Sequence, residues 1–225
     1  MANDDLTSVI RDAYDDSIYP EAFLDEYVIM ECLAERVGLD TFLVQNAEET
    51  SYVAKCYAKD LWAFGENGVE ASQDSPRSAD VPSSLLSGLD HPGVPKAVAS
   101  FDNEAMFVAV REFVEGVPLD RYAREHDLTE QEIVSICLQV CDILAYLHGR
   151  PDPIIHRDIK PQNVIVRPDG SVALIDFDIA RVYRAGSDTD TRFFGTVAYA
   201  PPEQYGFAQT DARADIYSLG VLLRY

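Results

Sequence analysis

The sequence predicts an α+β fold with two lobes, in which a small lobe of antiparallel strands precedes a mainly helical lobe. In the first half, apolar stretches such as "TFLV" and "SYVAKCY" are short, and the turn-like "QNAEET" between them indicates a hairpin. After "VEGVPL" the apolar residues recur at helical intervals instead. A chain of 225 residues, 47% of them apolar, is long enough to form two such lobes with cores.

The chain divides into three predicted regions. Residues 1–26 are acidic and weakly amphipathic, and we interpret them as an N-terminal extension. Residues 27–113 form the β-rich lobe, which includes the strand "AMFVAVREFV" and a loop rich in Gly, Ser, Asp and Pro, with a short helix after Pro82. Residues 114–225 form the helical lobe, which we expect to be incomplete because the sequence stops inside a predicted helix.

The helical lobe starts with an amphipathic helix in "LTEQEIVSICLQVCDILAYLH", where Thr129 and Glu132 resemble a capping box. Its predicted core face consists of Ile133, Ile136, Cys137, Val140, Cys141, Leu144 and Leu147. Two short strands, "NVIV" and "VALIDF", are predicted on either side of the turn "RPDG". The apolar face predicted for the last helix consists of Ile216, Leu219, Leu222 and Leu223.

The composition argues against several functions. A formal net charge of −21 disfavours binding to nucleic acid or to anionic membrane surfaces. No apolar run reaches the ~18 residues of a membrane span, and the N-terminus lacks a signal-peptide pattern, so we expect a cytoplasmic protein. No CxxC motif occurs, and all four cysteines are predicted to be reduced core residues: Cys32, Cys56, Cys137 and Cys141.

The segment "IIHRDIKPQNVIV" contains side chains suited to phosphoryl transfer. Asp158 can accept a hydroxyl proton, and Lys160 can contact the transferred phosphate. Asn163 and Asp176 can supply oxygen ligands to a divalent metal ion. The motifs "HRDIKPQN", "DF", "TVAYAPPE" and "DIYSLG" follow one another in order, so we reject the alternative that the segment is an ordinary surface loop.

With these motifs, the chain resembles the eukaryotic-like serine/threonine protein kinases, particularly their bacterial members, over residues 27–225. The resemblance implies a protein-kinase-like fold and transfer of the γ-phosphoryl group of ATP to Ser or Thr hydroxyls of proteins, autophosphorylation included. It implies that Asp158 is the catalytic base, that Lys160 marks a Ser/Thr kinase, and that Asn163 and Asp176 bind Mg²⁺, with Mn²⁺ as the alternative ion.

The same resemblance assigns the remaining site residues. The implied ATP-binding residues are Lys55, Glu112, Val114, Leu33, Val53 and Asp176. Backbone groups of Glu112 and Val114 are implied to bind adenine, with Arg111 at the gatekeeper position. Lys59 is the less favoured alternative to Lys55, because the strand pattern fades there. The implied supporting residues are His156, Arg157 and Asp215.

An activation segment is implied in "RAGSDTDTRFFGTVAYAPPE". The residues assigned to it are Thr191, Thr189, Thr196 and Glu203, together with Ser187. Thr196 is expected to contact the catalytic aspartate. A phosphate on Thr191 or Thr189 would pair with Arg157, whereas the alternative is an ordinary solvated loop.

The glycine-rich loop of the family is degenerate in this sequence. Its three glycine positions are occupied by Ala34, Arg36 and Leu39, and Gly38 falls one residue early. Glycine normally allows the backbone to approach a phosphate closely, so we expect Arg36 to offer a charged contact instead.

Two further positions depart from the family pattern. Pro82 stands where a helix glutamate is expected, with Glu66 or Glu70 as possible substitutes, and "DFD" places Asp178 where the family has glycine. These departures leave a pseudokinase, a nucleotide- or protein-binding scaffold, as the alternative function. A small-molecule kinase of the aminoglycoside or choline type is a third interpretation, which Lys160 and "DIYSLG" disfavour.

Overall fold

The computed structural model describes residues 16–60, 86–183, 196–205 and 209–224. The chain forms two compact units. The first consists of Met1–Ser83 and Lys96–Phe113, and the second of Ser84–Pro95 and Val114–Tyr225. The segment 84–95 therefore belongs to the second unit, although it lies between two stretches of the first unit in sequence.

A five-stranded antiparallel sheet forms the first unit, with the strand order β1-β2-β3-β5-β4. The strands are β1 (Val28–Arg36), β2 (Leu39–Gln45), β3 (Ser51–Ala58), β4 (Ala97–Asp102) and β5 (Met106–Glu112). The hairpin predicted from "TFLV" and "SYVAKCY" is confirmed as the β2–β3 pair. Its turn is ordered by Asn46, whose side-chain oxygen accepts from the backbone N–H groups of Glu48 at 3.1 Å and Thr50 at 3.0 Å.

A short helix, α1 (Glu21–Glu26), packs with its flanking aromatic residues into the core on one face of this sheet. Phe23 is completely buried, and Tyr19 and Tyr27 are 4% and 3% exposed. The rings of Phe23 and Tyr27 stack with their centroids 5.9 Å apart. The sequence predicts an extension over residues 1–26, whereas the structure includes this aromatic part in the core, because the rings cover an apolar sheet face.

Within the described residues, the second unit contains short strands and the helices named below. In chain order they are β6 (Val117–Pro118), α2 (Leu119–Glu125), α3 (Glu130–His148), β7 (Ile154–Ile155), β8 (Val164–Val166), β9 (Val172–Leu174), β10 (Arg181–Val182) and α4 (Ala212–Leu222). The predicted pair "NVIV" and "VALIDF" is confirmed as antiparallel β8 and β9. Their turn ends at Gly170, whose φ of +82° favours glycine. Within the described ranges, no helix has both the length and the apolar character needed to span a bilayer.

The predicted start of α3 is confirmed in detail. The Thr129 hydroxyl accepts a hydrogen bond from the backbone N–H of Glu132 at 3.3 Å. In return, the Glu132 carboxylate accepts from the backbone N–H of Thr129 at 2.8 Å. These reciprocal bonds satisfy two N–H groups that a helix start leaves without intrahelical partners, so the helix begins where the local sequence predicts.

The core face of α3 is rotated relative to the predicted one. Its buried side chains are Ile136, Cys137, Val140, Ile143, Leu144 and Leu147. Ile133 and Cys141, which the sequence predicts to be in the core, are exposed. Ile143 is buried because Gly93 of the neighbouring segment packs directly against it. Of the other cysteines, Cys56 is buried and Cys32 is partly exposed, so the prediction of four core cysteines is wrong for Cys141.

The last helix, α4, also differs from its predicted amphipathic face. Leu219 and Leu222 are buried as predicted, but Ile216 and Leu223 are 54% and 52% exposed. Polar residues of α4 are buried in their place, including Asp215 and Ser218. The Ser218 hydroxyl donates to the carbonyl of Tyr199 at 2.9 Å. The buried face of α4 is therefore chosen by hydrogen bonds as well as by apolar contact.

Candidate functional site

Three side chains fix the carboxylate of Asp158, which follows β7. The Asn163 amide donates to its Oδ2 at 2.9 Å, and the Lys160 ammonium lies 2.7 Å from the same oxygen. The Thr196 hydroxyl donates to Oδ1 at 2.9 Å and accepts from Lys160 Nζ at 2.9 Å. Both carboxylate oxygens are thus held in one orientation, and the structure brings together four residues that the sequence predicts to be functional.

Asn163 ends a short 3₁₀ turn (Pro161–Asn163) and is 4% exposed. Its amide nitrogen also donates to the backbone carbonyl of Asp158 at 2.8 Å, so both amide hydrogens are directed at Asp158. The amide oxygen is therefore the side-chain atom of Asn163 suited to a metal ion. The backbone carbonyl of Asn163 accepts from Ile175 N–H at 2.8 Å, which brings Asn163 close to the residue that precedes Asp176.

The loop that carries Asp158 and the loop that carries Asp176 each contain a non-glycine residue with a left-handed backbone conformation. Arg157 has a φ of +71° and Asp176 a φ of +66°. Such a conformation costs on the order of 1–3 kcal/mol and persists where the surroundings stabilise it. At Arg157 the backbone N–H donates to Asp215 at 2.8 Å, and the carbonyl accepts from the Gln204 side chain at 2.9 Å. These two bonds hold the backbone on either side of the strained residue.

Asp215 of α4 is completely buried and anchors the backbone before Asp158. Its carboxylate accepts from the backbone N–H of His156 at 2.9 Å and from that of Arg157 at 2.8 Å. His148, at the end of α3, places Nε2 2.7 Å from the same carboxylate. A buried carboxylate with three donors is well compensated, so Asp215 can fix the loop without remaining an isolated charge.

His156 connects the Asp158 loop to the Asp176 loop. Its Nδ1 accepts from the backbone N–H of Asp158 at 3.3 Å, so Nε2 carries the proton and donates to the Ile175 carbonyl at 3.1 Å. The ring is completely buried and packs edge-on against Phe177, 4.6 Å between centroids. Burial lowers the pKa of His156, in opposition to the carboxylates of Asp215, Asp158 and Asp176, which raise it.

In the first unit, Lys55 lies on β3 and is 6% exposed. Val53 is paired with Arg111 across β3 and β5, so the alternation of side chains places all three residues on one sheet face. The alternative lysine, Lys59, makes an ion pair with Asp102 at 2.7 Å. This ion pair holds Lys59 beside Asp102 at the edge of the sheet. Lys55, at the middle of β3, is therefore the favoured phosphate-binding lysine.

A tight turn at residues 37–38 joins β1 to β2. Gly38 has a φ of +76°, so this glycine serves the turn itself. Arg36 and Leu39 pair with each other on either side of the turn, and Ala34 lies further back in β1. Leu33 falls in an irregularity of the β1–β2 register and is 45% exposed. The positions normally occupied by glycine are therefore ordinary strand positions here.

Glu112 and Val114, the predicted adenine-binding residues, lie at the end of the first unit and the start of the second. The backbone N–H of Glu112 donates to the Lys96 carbonyl at 2.9 Å, and its side chain accepts from Lys96 N–H at 3.2 Å. Because this N–H is already used, the carbonyl is the backbone group of Glu112 that can bind an adenine. Val114 is partly exposed.

Several predicted residues lie outside the described residues: Ser187, Thr189, Thr191, Glu66, Glu70 and Pro82. Glu203 is partly exposed in a 3₁₀ turn (Pro202–Tyr205). The pKa of Arg213 is raised mainly by its hydrogen bond to Asp211, and the charge of Glu203 contributes further. Glu203 thus has a cationic neighbour within the second unit.

The sequence-based prediction missed two supporting residues. Gln204 is completely buried and donates to the carbonyl of Arg157, and His148 contacts Asp215. No local pattern around Gln204 indicates this role, because its partner lies 47 residues away. His148 could have been found from its place at the end of an amphipathic helix just before the "HRD" segment.

Comparisons with known proteins identify the family of the chain. The family described as "Protein kinase domain" matches residues 47–225. "Probable serine/threonine-protein kinase PknB" of Lactococcus lactis is 34% identical over 142 residues, which are 61% of this chain and 22% of that protein. "Serine/threonine-protein kinase PrkC" of Bacillus subtilis is 32% identical over 139 residues, 61% of this chain and 21% of that protein.

A eukaryotic protein is similar to the same extent. "Serine/threonine-protein kinase 36" of Pongo abelii is 32% identical over 139 residues, which are 62% of this chain and 10% of that protein. The chain therefore spans less than a quarter of the length of each of these three relatives.

Proposed function

Because the chain belongs to the protein kinase domain family, we propose that it transfers the γ-phosphoryl group of ATP to serine or threonine hydroxyls of protein substrates, itself included. The main support for this proposal is that Lys160, Asn163 and Thr196 all contact the carboxylate of Asp158. Phosphoryl transfer requires mainly positioning and electrostatic stabilisation, and this cluster offers both.

In the proposed reaction, Asp158 accepts the proton of the substrate hydroxyl as its oxygen attacks the γ-phosphorus. The bond from that phosphorus to the β–γ bridging oxygen breaks, and ADP leaves. Lys160 lies beside Asp158 and contacts the transferred phosphoryl group, where its positive charge offsets the negative charge of the phosphate oxygens. Thr196 keeps both side chains in place through its hydroxyl.

The residues present fit a divalent metal ion. The amide oxygen of Asn163 and the carboxylate of Asp176 are hard oxygen ligands, which Mg²⁺ prefers in combination with water and phosphate oxygens. We propose Mg²⁺ as the ion, with Mn²⁺ as the alternative. When bound, the ion would supply positive charge to the phosphates of ATP.

In this proposal, the remaining ATP contacts come from residues of the first unit and from Val114. Lys55 binds phosphate oxygens, and the carbonyl of Glu112 accepts from the adenine amino group. The backbone N–H of Val114 donates to the adenine ring, while Leu33 and Val53 provide apolar contact to the base. Arg36 offers its exposed guanidinium to the phosphates in place of the missing glycines.

The pseudokinase alternative rests on the degenerate glycine positions of the first unit and on Asp178 of the second. The side chains at positions 34, 36 and 39 prevent the backbone from coming as close to a phosphate as glycine would allow. Asp178 also stands where the family has glycine. The intact cluster around Asp158 favours the enzyme instead. We also expect no nucleic-acid or membrane partner, since the net charge of −21 would repel both surfaces.

Mass spectrometry after incubation with Mg²⁺ and ATP tests the proposal. The chain and its Asp158→Asn variant are compared, alone and with casein as a generic acceptor. Phosphate on Ser187, Thr189, Thr191 or casein in the wild type, but not with Asp158→Asn, is the expected result. Equal incorporation by both proteins would overturn the role of Asp158. No incorporation by a wild-type chain that still binds Mg²⁺-ATP in calorimetry would favour the pseudokinase.

A further inference from the structure

The second unit contains a groove that the proposed phosphoryl transfer does not use. It lies between α3, the β8–β9 turn and residues 91–93, and its volume is about 500 Å³. Its floor consists of the buried Ile143 and Val172. One wall consists of Val134 and Leu138 of α3, which are 50% and 64% exposed. An open groove with exposed aliphatic side chains indicates a surface for another molecule.

Side-chain hydrogen bonds fix the walls of this groove to one another. The Gln139 side chain accepts from Val172 N–H at 3.0 Å and donates to the Gly170 carbonyl at 3.2 Å, which ties α3 to the turn. Arg167 donates to the Pro92 carbonyl at 2.9 Å, which ties the turn to residues 91–93. The groove is therefore preorganised, so that binding would not carry the free-energy cost of ordering its walls.

The accessible charge at the groove is negative. Asp142 lies on its rim with a side chain 78% exposed. His91 accepts from Gly93 N–H through Nδ1 at 3.0 Å, so its Nε2 donates to Asp142 at 3.1 Å and orients the carboxylate. Arg167 is the one Lys or Arg among the groove-lining residues of the described chain, and it donates to internal carbonyls. With a net charge of −21, the whole chain also repels acidic partners.

From these observations we propose that the groove binds an extended peptide segment of a protein partner, in which one or two apolar side chains lie beside lysine or arginine. The apolar side chains contact Val134 and Leu138, and the cationic side chain pairs with Asp142. An open, mainly aliphatic groove with a charged rim fits a peptide segment better than a small enclosed ligand. The binding does not depend on phosphoryl transfer, so it can be measured without ATP.

The test is a fluorescence-anisotropy titration of a short labelled peptide that contains two leucines and three arginines, with the 225-residue chain. We expect saturable binding that weakens as salt is added. Replacing the leucines with serine, or the arginines with glutamate, should abolish it. Leu138→Ser and Asp142→Lys should each weaken binding by roughly 5- to 10-fold, through lost apolar contact and charge repulsion respectively.

Two matched control variants separate the groove from general effects. Asp152→Lys changes the net charge as Asp142→Lys does, and Ile216→Ser removes an aliphatic side chain that is 54% exposed, against 64% for Leu138. Both Asp152 and Ile216 are exposed outside the groove. Both controls should bind the peptide as the wild type does. Val134→Ser serves as the second groove variant should Leu138→Ser lose its folded circular-dichroism spectrum.

Three results would overturn the proposal. The first is no saturable binding by the wild type, and the second is equal weakening by Asp152→Lys and Asp142→Lys, which would mean attraction to net charge alone. The third is self-association of the wild type, seen by analytical ultracentrifugation and lost in Leu138→Ser. In that case the groove is covered by a second copy of the chain and not by a basic peptide.

Discussion

The Thr196 hydroxyl donates a hydrogen bond to Oδ1 of Asp158 at 2.9 Å. The two residues are 38 positions apart, so this bond links the segment before "APPE" directly to the loop that carries the proposed base. Lys160 donates to the same hydroxyl, which makes Thr196 both a donor and an acceptor within one cluster. A side chain with both roles cannot be replaced by one that only fills the space.

We therefore expect Thr196→Ala to lower kcat for phosphoryl transfer by roughly 10- to 100-fold, because Asp158 and Lys160 lose their common partner and shift. The KM for ATP should change little, since Thr196 is not among the proposed ATP contacts. Thr196→Ser retains the hydroxyl and should keep most of the activity. Steady-state kinetics with a protein acceptor gives both constants, and a serine variant as slow as the alanine variant would contradict this role.

Asp215 should contribute far more to stability than another hydrogen-bonded aspartate of the same unit. Asp215→Ala leaves two buried backbone N–H groups without an acceptor, and we expect a loss of about 3 kcal/mol or more in the free energy of unfolding. Asp211 is the N-cap of α4, and Asp211→Ala should cost about 1 kcal/mol. Urea unfolding of both variants measures the difference, and equal losses would mean that Asp215 is not the anchor.

The buried His156 should make the chain less stable as the pH falls. Burial lowers its pKa in the folded state below the ordinary value of 6.5, so the unfolded chain binds a proton at a pH where the folded chain does not. His156 therefore does not reduce the free energy of unfolding above pH 6.5. Below pH 6.5 the free energy of unfolding decreases as the pH falls, by up to about 1.4 kcal/mol per pH unit from this residue.

Urea unfolding between pH 5 and 8 should show this slope in the wild type and a smaller one in His156→Phe, which cannot titrate. Nitrogen NMR of the imidazole should in addition find the proton on Nε2, because Nδ1 accepts from Asp158 N–H. A slope that is the same in both proteins would show that other groups cause the acid sensitivity.

The cysteines should differ in their reactivity towards a thiol reagent. Cys141 is exposed, whereas Cys56 is buried and its pKa is raised strongly, first by burial and then by the charge of Asp40. We expect Ellman's reagent to modify Cys141 rapidly in the folded chain and Cys56 only after unfolding. Peptide mapping assigns the modified residues, and Cys141→Ser should remove the fast phase. Rapid modification of Cys137, which is buried on the same helix, in place of Cys141 would contradict the orientation of α3.

Local features of the fold could be predicted from the sequence. The start of α3 depends on Thr129 and Glu132, which are three residues apart, and it lies where the capping box predicts it. The β8–β9 turn similarly depends on a short segment that ends in Gly170. In both cases the residues that determine the structure are close neighbours in the chain, so a single sequence contains the necessary information.

The remaining features depend on distant partners. Apolar spacing places Ile216 in the core, but α4 buries Asp215 because backbone N–H groups of a loop 58 or 59 residues earlier need an acceptor. The positive φ of Arg157 likewise depends on partners 58 and 47 residues away, Asp215 and Gln204, since arginine does not favour that conformation. The site residues could be named from motifs, but the bonds that hold them could not.

The placement of Ser84–Pro95 in the second unit has a consequence for synthesis on the ribosome. Leu86, Leu89 and Val94 belong to the same core cluster as α3, which emerges roughly fifty residues later. At a synthesis rate of about 5–20 residues per second, these apolar side chains lack the α3 side chains they pack against for several seconds. The second unit is therefore not one continuous segment of the chain, and a nascent chain stalled before residue 130 would lack the partners that bury these side chains.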